Sequence, residues 1–300
     1  MKKIYIILGI ILLVFLGLGV YLQQGLLKKA GKEVAFTVDE GQGTRDIAQD
    51  LHNQKLISSP LLFLLYVYQR HWFLQPGVYD IKSSMSAVQI ASLLHDGKVQ
   101  EYVVTIPEGW RVTQIDDYLA KKGIIKKGEL VKIASADEGY LFPDTYKFPL
   151  DVTPEKVRTL MIDNFNKKAA GLNITTKDII IASIVEREAK FDEDRPKIAG
   201  VYLNRLDQRM KLEADPTVQY AKGSWEPITV SDYRNVISSY NTYLNAGLPP
   251  GPICNPSMKS IQATIRPEKD GFLYFFTDSS GHAIFSKTQE EQTANLKKYQ

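Results

Sequence analysis

Thiols and imidazoles are scarce in this chain of 300 residues, which holds one cysteine, Cys254, and four histidines. A single thiol excludes an intrachain disulfide framework, a thiolate zinc site and a cysteine-ligated cluster. His52, His71, His95 and His282 are scattered, with no HExxH and no i, i+4 pair, so no histidine metal centre is expected. A phosphate-cradling GxxxxGK[ST] is also missing. Gly41-Gln42-Gly43 follows a strand pattern, but Asp46 stands where a dinucleotide fingerprint needs its third glycine. The chain therefore carries no signal for a metal or an organic cofactor. Acid is missing from one end: residues 1–32 contain Lys2, Lys3, Lys28, Lys29 and Lys32 and neither Asp nor Glu, a charge of +5. The whole chain carries +3, so the remaining residues sum to −2 and do not read as a nucleic-acid binder.

What is present describes a folded protein, since 44% hydrophobic and 24% charged residues exclude disorder as the main state. Ile4–Leu22 is an uncharged run of nineteen residues. As a helix it spans about 28 Å, close to the hydrocarbon thickness of a bilayer. It reads as a transmembrane anchor behind a short tail (1–3) and before a linker (23–32). Its flanking lysines leave the orientation close to a tie.

Beyond the linker, 33–100 reads as a compact β-α-α-β-α module: a strand at Glu33–Val38, helices at Thr44–Leu51 (with Thr44 as N-cap) and Pro60–Tyr68, a strand near Tyr79, and a helix at Ser86–Leu94. A second domain, 101–300, opens with a strand at Glu101. Helices are expected at about 113–121, 127–134, 154–168, 176–190, 196–208, 258–265 and 288–299, with a hairpin at 272–285. The segments 138–146 and 212–256, rich in aromatics, Pro, Gly and Asn, read as ordered loops. The fold class is α+β.

With metals, cofactors and histidine pairs set aside, acid chemistry remains. Thr176–Lys190 is apolar from Ile179 to Val185 and then presents Glu186 and Glu188. At about 100° per residue these two carboxyls point about 200° apart and cannot act as a pair on one surface. Glu186 lines up with Ile179, Ala182, Ser183 and Ala189, mostly small side chains that leave room for a ligand. Glu188 lines up with Ile181 and Ile184, which look like core. A carboxyl at an apolar helix end has its pKa raised, which suits a general acid; ion pairing of both glutamates with nearby arginines is the alternative. The loops around Asp215–Tyr220 and Tyr240–Pro256 set aromatics, amides and hydroxyls in Pro/Gly frames, as a saccharide cleft would.

The motifs EGYLFPDTY (138–146), ASIVERE (182–188), NRL (204–206), ADPTVQY (214–220), YNTY (240–243) and GLPPGPICNP (247–256) resemble the YceG-like family of endolytic murein transglycosylases over nearly the whole chain. The resemblance implies a membrane-anchored body facing the cell wall, with a LysM-like module at 33–100 and a catalytic domain at 101–300. It implies cleavage of the MurNAc-β-1,4-GlcNAc bond with 1,6-anhydro-MurNAc ends, no cofactor, and partners among wall-synthesis enzymes. It marks Glu186, which opens the E-[KR]-E step, as the catalytic acid. Tyr140, Phe142, Tyr146, Asp215, Thr217, Gln219, Tyr220, Asn241, Tyr243 and Asn255 are carried over as cleft residues. Two other readings stay open: a muramidase pairing Glu186 with Asp215 or Glu213, and a non-catalytic wall-binding scaffold.

Overall fold

The structure, a computed structural model, describes residues 32–299. The anchor expected at 4–22, the tail before it and the linker up to residue 31 lie outside the described residues. Among the described residues no helix is long and apolar enough to cross a membrane. The fold is mixed α+β, with small two-stranded sheets between helices.

The chain divides into two compact units. The first takes the described residues to Val103 together with Lys147–Asp151. In it β1 (Glu33–Val38) pairs antiparallel with β2 (Gly77–Lys82), Phe36 opposite Tyr79. Between them run α1 (Thr44–Asn53) and α2 (Pro60–Gln69), and α3 (Ala87–Asp96) follows. Phe36, Ile47, Leu51, Phe63, Val67, Tyr79 and Ile90 form one core. α2 starts where Ser59 accepts from Leu62 N and Pro60 fills the first helical position. Gly43 and not Thr44 occupies the N-cap of α1, and no side chain caps it.

The second unit is built around helices. Its boundary falls within β3 (Glu101–Thr105) and β4 (Thr145–Pro149), which pair. Then come α4 (Val112–Lys121), α5 (Glu129–Ala134), α6 (Pro154–Ala169), α7 (Thr176–Glu188), α8 (Arg195–Asp207), α9 (Asp215–Lys222), α10 (Asp232–Asn235) and α11 (Met258–Ile265). The antiparallel hairpin of β5 (Tyr274–Thr277) and β6 (Ala283–Ser286) and α12 (Gln289–Tyr299) complete it. Helix α7 is its axis, with Ile179 to Val185 all buried and α8 and α11 packed beside it.

Three expectations change. The segment 138–146, expected as a loop, ends in the first residues of β4. The segment 212–256, also expected as loop, contains α9 and α10. For α9 the signals were misread: Pro216 stands in the first turn and Gly223 closes the helix in a left-handed conformation. Helix α7 stops at Glu188, two residues early, because Ala189 turns to extended backbone.

Candidate active site

Helix α7 is fixed at its start by a capping box. Thr175 Oγ1 accepts from Asp178 N at 3.3 Å, and Asp178 Oδ2 accepts from Thr175 N at 2.8 Å. A helix apolar on every side is a core helix. Its two glutamates emerge at the far end, where the core stops.

The Glu186 face is filled. The small side chains Ala182 and Ser183 let neighbouring backbone come close. Ser183 Oγ accepts from Ile253 N at 3.0 Å, and the Cys254 thiol donates to Ser183 O. Glu186 Oε2 accepts from Ser257 N at 2.9 Å, Ser257 Oγ at 2.6 Å and Ser260 Oγ at 2.7 Å. Arg195 Nη1 lies 3.4 Å from the same oxygen, and the two side chains are only 9% and 7% exposed. Arg195 also donates to Ser260 Oγ and to Asp192. Three donors and the Arg195 guanidinium thus converge on one oxygen of Glu186. The room that small side chains leave has gone to helix packing.

The Glu188 face is open. Glu188 fronts a cavity of about 330 Å³, lined also by Tyr202, Asp215, Tyr233, Tyr243 and Phe275. Tyr202 OH donates to Glu188 Oε1 at 2.8 Å. Burial pushes the Glu188 carboxyl up to about 7; the Tyr202 hydrogen bond opposes this, nearby Asp215 adds to it, and Arg187 opposes. A carboxyl poised near neutrality beside a cavity suits proton donation. Ile181 and Ile184, in line with it, are core as expected, but the helix carries Glu188 just past them.

Asp215 is the first residue of α9. Its Oδ1 accepts from Tyr243 OH at 2.5 Å, and Tyr233 stacks on Tyr243 with ring centroids 4.1 Å apart. Burial and Asp215 raise both tyrosines above their ordinary range. Behind them the ADPTV and YNTY segments are joined through buried hydroxyls. Thr217 Oγ1 lies 2.9 Å from Thr242 Oγ1, and Thr242 Oγ1 accepts from Ala214 N at 3.0 Å. Asn241 Nδ2 donates to Tyr233 O and Val236 O, and its Oδ1 accepts from Tyr243 N. Arg205 holds the loop before α9 by donating to Leu212 O and Glu213 Oε2, and it reaches Leu273 O next to β5. Glu213 adopts φ +51°, a strained conformation for a residue with a side chain.

Of the residues carried over from the resemblance, Asp215 and Tyr243 are in this cavity. Thr217 and Asn241 are fully buried and act as its frame. Gln219 and Tyr220 lie elsewhere: Gln219 Nε2 holds Trp225 O and Glu226 O, and Tyr220 packs on Tyr240 under Arg111. Asn255 is buried among loops, its Oδ1 accepting from Gly139 N and Leu141 N, its Nδ2 donating to Trp110 O and Glu138. Phe142 and Tyr146 are core, with Tyr146 OH donating to Phe142 O. Tyr140 lines a separate cavity of about 290 Å³ with Phe165. Aromatics and amides alone do not distinguish a cleft wall from a loop clamp. Glu188, Tyr202 and Tyr233 were not among the expected site residues. The one available signal was the position of Glu188, past the last core isoleucine. Among the described residues no group of three or more His, Cys, Asp or Glu is placed to hold a metal ion.

A family model described as the YceG-like family matches residues 36–298. An endolytic murein transglycosylase of Bacillus subtilis is 33% identical over 310 residues, covering 91% of this chain and 86% of the relative. One from Streptococcus pneumoniae is 30% identical over 321 residues, covering 88% of this chain, which spans 58% of that longer protein. A crystal structure of a yceG-like protein from Listeria monocytogenes superposes with a TM-score of 0.56 at 31% identity, over 89% of this chain and all of that one.

Proposed function

The chain belongs to the YceG-like family, and from that membership we propose that it cuts peptidoglycan glycan strands, and from the cavity at Glu188 that this residue is the acid. It is an endolytic lytic transglycosylase, as its relatives are named. The observation that carries the choice of acid is the cavity at Glu188, whose carboxyl is held near neutrality while Glu186 is enclosed by Ser257, Ser260 and Arg195. Glu188 thus takes the place that the motif resemblance gives to Glu186.

In the proposed reaction Tyr202 holds Oε1, leaving Oε2 to carry the proton. That proton passes to the glycosidic oxygen of the MurNAc-β-1,4-GlcNAc bond, the C1–O bond breaks, and positive charge grows at C1 and the ring oxygen. Asp215, which lines the same cavity, is assigned the stabilisation of that cation. Glu188, now a carboxylate, takes the proton of the muramyl C6 hydroxyl as that oxygen closes on C1. The closure is intramolecular, so no water has to be activated by a second carboxylate. The products are a free GlcNAc hydroxyl and a 1,6-anhydro-MurNAc end, and the enzyme regains its proton.

Glu188→Gln is expected to slow cleavage by about 10²–10⁴-fold, and mass spectrometry of wild-type products from purified glycan strands to show ends one water lighter than hydrolysed ends. Undiminished cleavage by Glu188→Gln overturns the assignment. Asp215 across the cavity supports a second reading, a two-carboxylate hydrolase, which the same mass measurement identifies by ends that have gained water.

The wider setting belongs to the same proposal. Ile4–Leu22 anchors the protein as a single pass in the cytoplasmic membrane, with residues 1–3 in the cytoplasm and the catalytic unit on the wall side. The β-α-α-β-α unit is a LysM-like module that holds the strand. Cutting near the membrane ends the growth of new strands, beside wall-synthesis enzymes. Carbonate extraction of membranes that releases the full-length protein argues against the anchor.

A further inference from the structure

Helix α2 is apolar on every side: PLLFLLYVYQ has no charged residue. Phe63 and Val67 face the core of the first unit. On the other side Leu61, Leu65 and Tyr68, spaced i, i+4 and i+7, form one stripe that is 65%, 54% and 58% exposed. Phe73, just past the helix, is 80% exposed. Isolated exposed apolar residues need no explanation, but a stripe of this kind does.

Two further observations say what covers it. The first is the chemistry at its end. Arg70 lies 5.2 Å over the Tyr66 ring and 5.4 Å over Trp72, and Trp72 stacks on His95 at 4.5 Å. From Gln54 to Tyr79 the chain has Lys55 and Arg70 but no Asp or Glu. Leucine flanked by Tyr, Trp and Arg, without acid, is the composition of segments that lie in a membrane interface. The second is the tether. The apolar run Ile4–Leu22 is followed by Gln23, and β1 begins at Glu33. The ten residues between reach at most about 35 Å when fully extended. A unit held this close to a bilayer meets its surface at high effective concentration.

We propose that the Leu61–Leu65–Tyr68 face of α2, with Phe73, lies in the headgroup region of the membrane, so that the first unit rests on the bilayer. This depends on the anchored reading given above. It would keep the small unit at the membrane surface, where newly made strands leave the bilayer.

The test uses the full-length chain in vesicles of phosphatidylcholine and phosphatidylglycerol. A fluorophore is placed at Leu65→Cys; Cys254 is fully buried and stays unlabelled. Val230→Cys, in the second unit at a residue 82% exposed, is the control. Lipids carrying a quencher near the headgroup are expected to quench the label at 65 at least threefold more than the label at 230. Soluble iodide is expected to do the reverse. Adding Leu61→Glu and Tyr68→Glu removes the lipid quenching at 65. Quenching at 65 by iodide and not by lipid overturns the proposal, because the face is then in water. Protection from both quenchers, with crosslinking at 65 between two chains, also overturns it and identifies a second copy as the cover. Failure of the chain to float with the vesicles overturns the anchor and this proposal together, while strand cleavage by the same preparation is scored separately.

Discussion

Glu186 and Glu188 leave the same helix two residues apart, and their surroundings differ in every respect that matters for proton transfer. Glu186 meets a helix N-terminus, two serine hydroxyls and a buried arginine, and one of its oxygens accepts three hydrogen bonds. Glu188 meets one tyrosine hydroxyl, a neighbouring aspartate and an aromatic cavity. The first environment links α7, α8 and α11 through Ser257, Ser260 and Arg195. The second makes a carboxylate costly and leaves space for a substrate. On the reading proposed above, two like side chains on one helix divide between structure and chemistry according to what packs against each face. This resembles the way paired carboxyl groups in glycosidases are given separate roles by environment.

The largest break in the comparison comes from Glu186. Glu186→Ala takes the shared acceptor from Ser257 N, Ser257 Oγ and Ser260 Oγ and leaves Arg195 with Asp192 as its remaining acid, and is expected to cost about 1–3 kcal/mol, read as a lowered denaturation midpoint at neutral pH. A loss below about 1 kcal/mol would mean that Glu186 is not part of the frame. Glu188 behaves in the opposite way. Its folded pKa, about 7, is above its ordinary value of 4.5. The folded state therefore holds the proton over a pH range in which the unfolded chain has lost it. Stability falls as pH rises from about 4.5 to 7 and stays lowered above that. Glu188→Gln removes the penalty and is expected to stabilise the protein by about 1–3 kcal/mol at pH 8, with little change at pH 4. Equal midpoints at pH 8 would contradict the burial account.

Two smaller effects sharpen the Glu188 side. Thr217→Val removes the hydroxyl shared by the ADPTV and YNTY segments, at a cost of about 1–2 kcal/mol. Because Asp215 and Tyr243 are held by that link, kcat is expected to fall more than the stability loss explains; unchanged kcat in the folded variant would free these segments of any positioning role. Asp215 raises the Glu188 pKa, so Asp215→Asn lowers it. The alkaline limb of the pH–rate profile, where Glu188 loses its proton, then moves to lower pH. A limb that stays in place, or moves upward, contradicts the coupling.

Much of the fold is legible in the sequence because its signals are local. Pro60 announces a helix start, and the apolar run Ile179–Val185 announces a buried helix. The helix at Asp215 was hidden because Pro216 reads equally as a loop residue or as a helix opener, and only the cap at Gly223 tells them apart. The site was legible in part. That the two glutamates point apart follows from helix geometry alone. Which one faces a ligand depends on non-local partners: Ser257 and Ser260 are more than 70 positions from Glu186. Small side chains such as Ala182 and Ser183 are as good for close helix packing as for ligand space. Thr217, Asn241 and Asn255, carried over as cleft residues, each bond backbone groups of neighbouring loops, which local sequence signals do not reveal.

The most direct test sets the two glutamates against each other. Glu186→Gln and Glu188→Gln are purified, their folded fractions are matched by circular dichroism, and the rate of 1,6-anhydro end formation is measured on the same glycan strands at pH 6. Loss of a general acid costs about 10²–10⁴-fold, so Glu188→Gln should fall by that factor while folded Glu186→Gln stays within about tenfold of wild type. A folded, inactive Glu186→Gln beside an active Glu188→Gln would contradict the account.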